Sequence, residues 1–144
     1  MTLVAVGHLV QIALAVAGEL AEQDISVEVF DPRIVYPFDW ELLRSSVAKT
    51  GRLVIADDTN RTCGLADEII AAIAEEMPLR SRPRRVTRAD VAVPFAPVLE
   101  KAIIPGQDAI AAAIKTVMEK SSGGMKGVRV PKVGMVIARI REES

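Results

Sequence analysis

A chain of 144 residues has room for one core, and with half of its residues apolar but only 3% aromatic that core must be aliphatic, as in parallel sheets covered by helices. A net charge of −1 excludes the strongly basic surface that recruits nucleic acid or an anionic membrane. The single cysteine, Cys63, leaves no intrachain disulfide and no thiolate metal cage, and a reducing, cytoplasmic setting is expected.

The chain opens on an apolar run over 2–6 ended by Gly7, which predicts a strand feeding straight into a helix over 8–22. Leu9, Ile12, Val16 and Leu20 share one face of that helix, while Ala13, Ala15, Ala17 and Ala21 allow close approach elsewhere, so it should lie on a sheet. No basic segment precedes the first strand, and the apolar stretch over 12–17 is far too short to span a bilayer. A soluble protein without a targeting signal is expected.

Val27-Glu28-Val29-Phe30-Asp31 alternates and then closes as an apolar run, which fits a buried strand ending at Asp31. Pro32 and Pro37 then oppose both strand pairing and helix and hold their predecessors extended, so the chain leaves the strand tip as a stiff arm until Asp39 can cap the next helix. The arm sets Asp31, Arg33 and Tyr36 at the sheet edge where α/β folds place their functional groups. Trp40, Leu43 and Val47 recur at helical spacing before Gly51 stops that helix.

Residues 52–56 form the most continuously apolar strand, expected at the centre of the sheet, and 57–64 follow as a polar loop at its tip. A helix begins near Ala66 with Asp67 and Glu68 in its first turn, turns Ile69, Ile70, Ile73 and Met77 toward the core and ends at Pro78. A short peripheral strand over 84–87 comes next. Pro94, Pro97 and Pro105 stiffen a long connection to a last helix over 107–120 with Ile110, Ile114 and Val117 inward. Residues 121–124 are linker-like, and 125–144, too few to bury a core, are expected to be mobile or paired to another chain and to be cut first by protease.

Candidate chemistry is sparse. Gly7 with Asp31 24 positions later has the outline of a dinucleotide site, but His8, Leu9, Val10, Gln11 and Ile12 stand where further glycines are needed, and an ordinary strand-to-helix turn is the better reading. Asp57 and Asp58 could hold Mg²⁺ or form a phospho-acceptor pocket, yet no acidic pair follows the first strand, which favours solvated loop carboxylates. His8 reads as a surface residue at a helix entry, and Cys63-Gly64 as a tight turn. Arg80, Arg82, Arg84, Arg85 and Arg88 form a basic run without aromatics, usually a solvated face and less often a docking surface for an acidic partner.

Four blocks nevertheless form a pattern: Val27-Glu28-Val29-Phe30-Asp31-Pro32-Arg33, Pro37-Phe38-Asp39, Ser46-Val47-Ala48-Lys49-Thr50-Gly51-Arg52-Leu53-Val54, and Val93-Pro94-Phe95-Ala96-Pro97-Val98-Leu99-Glu100. Together they resemble the C-terminal domain of transketolase-like enzymes, closest to the β subunit of the thiamine-diphosphate-dependent decarboxylase component of 2-oxo acid dehydrogenase complexes, over about residues 2–120. The resemblance implies a three-layer α/β/α fold with a mixed, mostly parallel sheet of five strands, one of them antiparallel. The family loop after the third strand reads like Glu-Glu-x-x-Arg-Thr-Gly-Gly; here Arg61 and Gly64 match, and Cys63 replaces a glycine.

That family's pyrimidine pocket and active-site histidine belong to a preceding domain whose residues have no positions here. The resemblance therefore implies an assembly domain, inactive alone, in a holoenzyme that uses thiamine diphosphate and Mg²⁺. Its partners would be an α subunit, a second β subunit and an acyltransferase component, with a homodimer expected in isolation. Asp31, Arg33, Tyr36 and Arg61 at the strand tips, with Phe95 and Leu99 in the proline-stiffened connection, are the candidate interface residues. Val128 to Met135 looks like the opening strand of a lipoyl domain, without the Asp-Lys-Ala hairpin. The alternative function is a free-standing small-ligand or nucleotide-binding module that uses the loops near Asp31 and Asp57.

Overall fold

The computed structural model describes residues 1–119, and the expectations for 121–144 lie outside them. The elements run β1 (Thr2–Ala5), α1 (Leu9–Ala21), β2 (Glu28–Phe30), α2 (Trp40–Thr50), β3 (Leu53–Asn60), α3 (Leu65–Glu76), β4 (Arg84–Arg88), α4 (Pro97–Ile103) and α5 (Gln107–Glu119). The sheet has the order β2-β1-β3-β4, and every pairing is parallel.

Alternation along the strands sorts the core into two layers. Leu3 and Ala5 of β1, Val54 and Ala56 of β3 and Val86 of β4 meet α1 and α5 on one face. Val4, Leu53, Ile55 and Phe30 meet α2 and α3 on the other. The three-layer α/β/α fold is thus present, with β1 and β3 inside and β4 at an edge, as expected. The strand count is corrected: four strands, all parallel, occur among the described residues instead of five with one antiparallel. The prolines of the connection after β4 keep it out of the sheet, and part of it winds into the short α4 with Pro97 at its start.

Helix ends follow their residues. The Asp39 carboxylate accepts from the Leu42 amide at 3.0 Å, and Gly51 closes α2 with φ 66°, a left-handed value that suits glycine. In α1 the buried stripe is Leu9, Ala13, Val16 and Leu20, with Ile12 only half-buried, because alanine is what the close approach to the sheet admits. Ile70 and Met77 of α3 are likewise half-buried, while Ile69 and Ile73 are enclosed.

One polar knot lies inside. Thr2 is fully buried, and its hydroxyl is 2.8 Å from both the Ser46 and Thr50 hydroxyls of α2. Removing it takes a partner from the buried Ser46 hydroxyl and from the half-buried Thr50 hydroxyl. Thr2→Val, nearly isosteric, is expected to lower stability by about 1–3 kcal/mol, read as a lower urea midpoint at unchanged slope.

Candidate functional site

In a parallel sheet all strand tips emerge on one edge, and ligands of such folds sit where the chain reverses its direction of winding. Here β1 leads out to β2 on one side and the chain returns to β3 on the other, so the reversal lies between the tips of β1 and β3. His8 follows β1 and Asp58 stands near the end of β3; His8 Nδ1 and Asp58 Oδ2 meet across that point at 3.3 Å, both side chains partly exposed. His8 is the surface helix-entry residue expected, and the sheet register supplies a carboxylate partner that its sequence neighbours do not.

Asp57 corrects the sequence reading. It is fully buried within β3, where its carboxylate accepts from the Thr59 amide at 3.1 Å and the Thr59 hydroxyl at 2.6 Å. Pairing with β4 continues past an irregularity to Asn60 opposite Arg88, so a stretch too polar to look like strand is held as one by its neighbour.

Beyond β3 the chain turns sharply. Cys63 is exposed with φ 57°, where the resembled pattern has glycine, and Gly64 caps α3. Cys63-Gly64 therefore forms the expected turn. The Thr62 amide donates to Asp90 Oδ1 at 2.9 Å and its hydroxyl to Asp90 Oδ2 at 2.6 Å, clamping this turn to the connection after β4. Arg88 adds to the clamp by donating to the Asp58 carbonyl at 3.0 Å and the Val91 carbonyl at 2.7 Å. Arg85 donates to the Arg61 carbonyl at 3.0 Å and pairs with Asp67.

The Thr62 hydroxyl, followed by its amide, holds the Asp90 carboxyl below the ordinary aspartate value. A lowered folded value means that the clamp favours folding above the ordinary range and is lost as acid protonates Asp90 through the lowered value. An NMR titration of the Asp90 side chain is expected to show a midpoint below that of a free aspartate. Thr62→Val should return it toward the ordinary value.

The remaining candidates separate into two flanks. Asp31, Arg33 and Tyr36 lie on the arm after β2: Asp31 Oδ1 accepts from the Arg33 amide at 3.0 Å, Arg33 Nε is 3.5 Å from Asp31 Oδ2, and Tyr36 stands 93% exposed. A cleft of about 310 Å³ lined by Val6, Gly7, Asp31, Pro32, Arg33 and Val35 opens beside them. On the β4 side Phe95 and Leu99 are exposed, as are Val91, Val93 and Val98. Arg61 lies on the loop between the flanks, beside the Thr62–Asp90 clamp. The sequence set Asp31, Arg33, Tyr36 and Arg61 at the strand tips and Phe95 and Leu99 in the connection after β4, whereas the His8–Asp58 and Thr62–Asp90 pairs went unseen because their members are far apart in the chain.

Thiamine diphosphate would need a diphosphate cradle and divalent-metal ligands. Among the described residues no group of three or more His, Cys, Asp or Glu side chains comes together to hold a metal ion. Asp57 is engaged by Thr59 and Asp58 faces His8, so the strand-tip residues do not fit that cofactor and no catalytic step is assigned to them. No helix among the described residues is long and apolar enough to cross a membrane.

Comparison with known proteins agrees with this architecture. The family model for the transketolase C-terminal domain matches residues 1–110. The beta subunit of acetoin:2,6-dichlorophenolindophenol oxidoreductase from Bacillus subtilis is 41% identical over 112 residues, 76% of this chain and 33% of that protein. The beta subunit of 2-oxoisovalerate dehydrogenase from Pseudomonas aeruginosa is 37% identical over 121 residues, 83% of this chain and 33% of that protein. That of the pyruvate dehydrogenase E1 component from Staphylococcus epidermidis is 35% identical over 121 residues, 83% of this chain and 37% of that protein. A solved structure described as a split gene transketolase, inactive beta4 tetramer, aligns with a TM-score of 0.71 at 28% identity, covering 83% of this chain and 38% of that one. The chain spans about a third of the length of the curated relatives it matches.

Proposed function

Because the chain belongs to the transketolase C-terminal domain family, we propose that it is a subunit-interface domain of the beta subunit of a thiamine-diphosphate-dependent 2-oxo acid or acetoin dehydrogenase. The observation that carries this reading is the exposed apolar surface on the arm after β2 and on the connection after β4. Ile34, Val35 and Tyr36 on the arm and Val91, Val93, Phe95, Val98 and Leu99 after β4 all stand exposed among the described residues. Monomeric domains seldom leave so many large apolar side chains in water unless a partner covers them.

In this role the partners are a second copy of the chain, an α subunit and the acyltransferase component, and the setting is cytoplasmic. Asp31, Arg33, Tyr36 and Arg61 would supply polar contacts at the rim, with Phe95 and Leu99 as apolar anchors. The chain would position subunits and leave cofactor binding to other parts of the assembly. Sedimentation of the purified chain is expected to show dimer at high concentration. Titration with thiamine diphosphate and Mg²⁺ is expected to give no saturable heat; micromolar binding would overturn the assembly role.

The cleft beside Asp31 and Arg33 favours a second reading, a small-ligand module. A thermal-shift screen separates the two, since a ligand that binds only the folded state must raise its melting temperature.

A further inference from the structure

At the opposite end of the sheet, where β3 and β4 begin, three exposed arginines form no ion pair among the described residues. The described ion pairs involve Arg33, Arg44 and Arg85 among the arginines, and Arg88 is tied to backbone carbonyls. Arg80, Arg82 and Arg84 are exposed and take part in no ion pair among the described residues, while Ser81 and Pro83 between them are half-buried. The chain bends at Arg80 and Ser81 and enters β4 at Arg84, so the three cationic side chains are spread over the bend that leads into the strand.

Beside these arginines lies a groove of about 350 Å³ with Val47 and Ala48 of α2 on one side and Met77, Pro78 and Leu79 on the other. Arg80 forms its end. The Arg80 amide donates to the Gly51 carbonyl at 2.8 Å, and its side chain crosses Gly51 so closely that a Cβ there would lie 2.7 Å from its Cγ. The absence of a side chain at Gly51 thus leaves the room that Arg80 occupies beside the groove.

We propose that this groove and the arginines beside it form a docking surface for an acidic peptide segment of a partner protein, with one apolar side chain in the groove and a following run of carboxylates facing Arg80, Arg82 and Arg84. Three exposed guanidinium groups that no acid among the described residues pairs with complement a run of carboxylates. The apolar groove asks for an aliphatic or aromatic anchor, and the adaptable Met77 side chain lets it accept more than one shape. No aromatic residue lines the groove or stands among the arginines, so the stacking on which single-stranded nucleic acid depends is missing. The surface is built from residues that the proposed interface does not use, so it does not depend on the interface role.

Fluorescence anisotropy of the purified chain tests it, using a labelled peptide with one leucine followed by a run of glutamates, and a lysine counterpart. Saturable binding of the glutamate peptide that weakens with salt is expected, with none for the lysine peptide. R80E/R82E/R84E should lose roughly tenfold or more in affinity for the glutamate peptide and gain the lysine peptide, a swap that misfolding cannot produce. Ala48→Glu, at an exposed helix position, should weaken the glutamate peptide while leaving the thermal melt unchanged. Three outcomes overturn the proposal: no saturation by the glutamate peptide, undiminished binding by the charge-reversed variant, or tighter binding of a single-stranded oligonucleotide of equal charge.

Discussion

Phe95→Asp combined with Leu99→Asp is expected to convert the self-associated chain into a folded monomer. Phe95 is fully exposed and Leu99 is 56% exposed, and α4 buries none of its residues in the chain's own core, so replacing them removes nothing the fold needs. In a two-fold dimer each substitution occurs twice, and covering an apolar side chain of this size is worth about 1.5 kcal/mol or more. Loss of four such contacts amounts to about 6 kcal/mol, or roughly four orders of magnitude in the dissociation constant. Sedimentation equilibrium reads the change and circular dichroism confirms the fold. An unchanged dimer in this variant would move the interface away from the connection after β4, leaving the arm that carries Tyr36 as its seat.

Gly64→Ala should be the most damaging single substitution at the strand-tip edge. A Cβ at Gly64 would collide with the Asn60 carbonyl oxygen and lie 2.8 Å from the Thr59 hydroxyl. Neither can retreat freely: Asn60 is held in register with Arg88, and the Thr59 hydroxyl donates to the buried Asp57 carboxylate. Forcing an extra methyl into such a site costs about 1–3 kcal/mol, and the upper half of that range is expected because displacing Thr59 also strips a buried carboxylate of its donor. The melting temperature should fall by roughly 10 °C. Cys63→Gly provides the contrast, since φ 57° is a value that glycine adopts freely, and no loss of stability is expected from it. If Gly64→Ala melts with the parent, the turn is looser than its contacts imply.

Much of this chain could be read before it was folded in space. Apolar residues at helical spacing identified the inward face of α5 as Ile110, Ile114 and Val117, and those side chains are enclosed. Asp39 and Gly51 marked the ends of α2 because capping is a local matter, settled by a side chain and an amide three residues apart or by one backbone angle. Continuous hydrophobicity placed β3 inside the sheet, and bare apolar residues among prolines flagged the connection after β4. That same connection concealed α4: a helix of seven residues that buries none of them carries no stripe for periodicity to reveal.

What the sequence determined by itself, then, is whatever depends on neighbours within a turn or two: which of the longer segments are strands or helices, the main inward stripe of each long helix, and where the capped helix α2 ends. Tertiary structure alone decided the length of β3, the burial of Asp57, the meeting of His8 with Asp58, and the Thr62–Asp90 clamp, whose members stand 28 residues apart. The reason is register. A parallel sheet brings all its strand tips to one edge, and the alignment of β3 with β1 and β4 chooses which polar groups meet there. A carboxylate that looks solvated along the chain then becomes a buried acceptor, because pairing with β4 encloses it and Thr59 supplies the donors its burial requires.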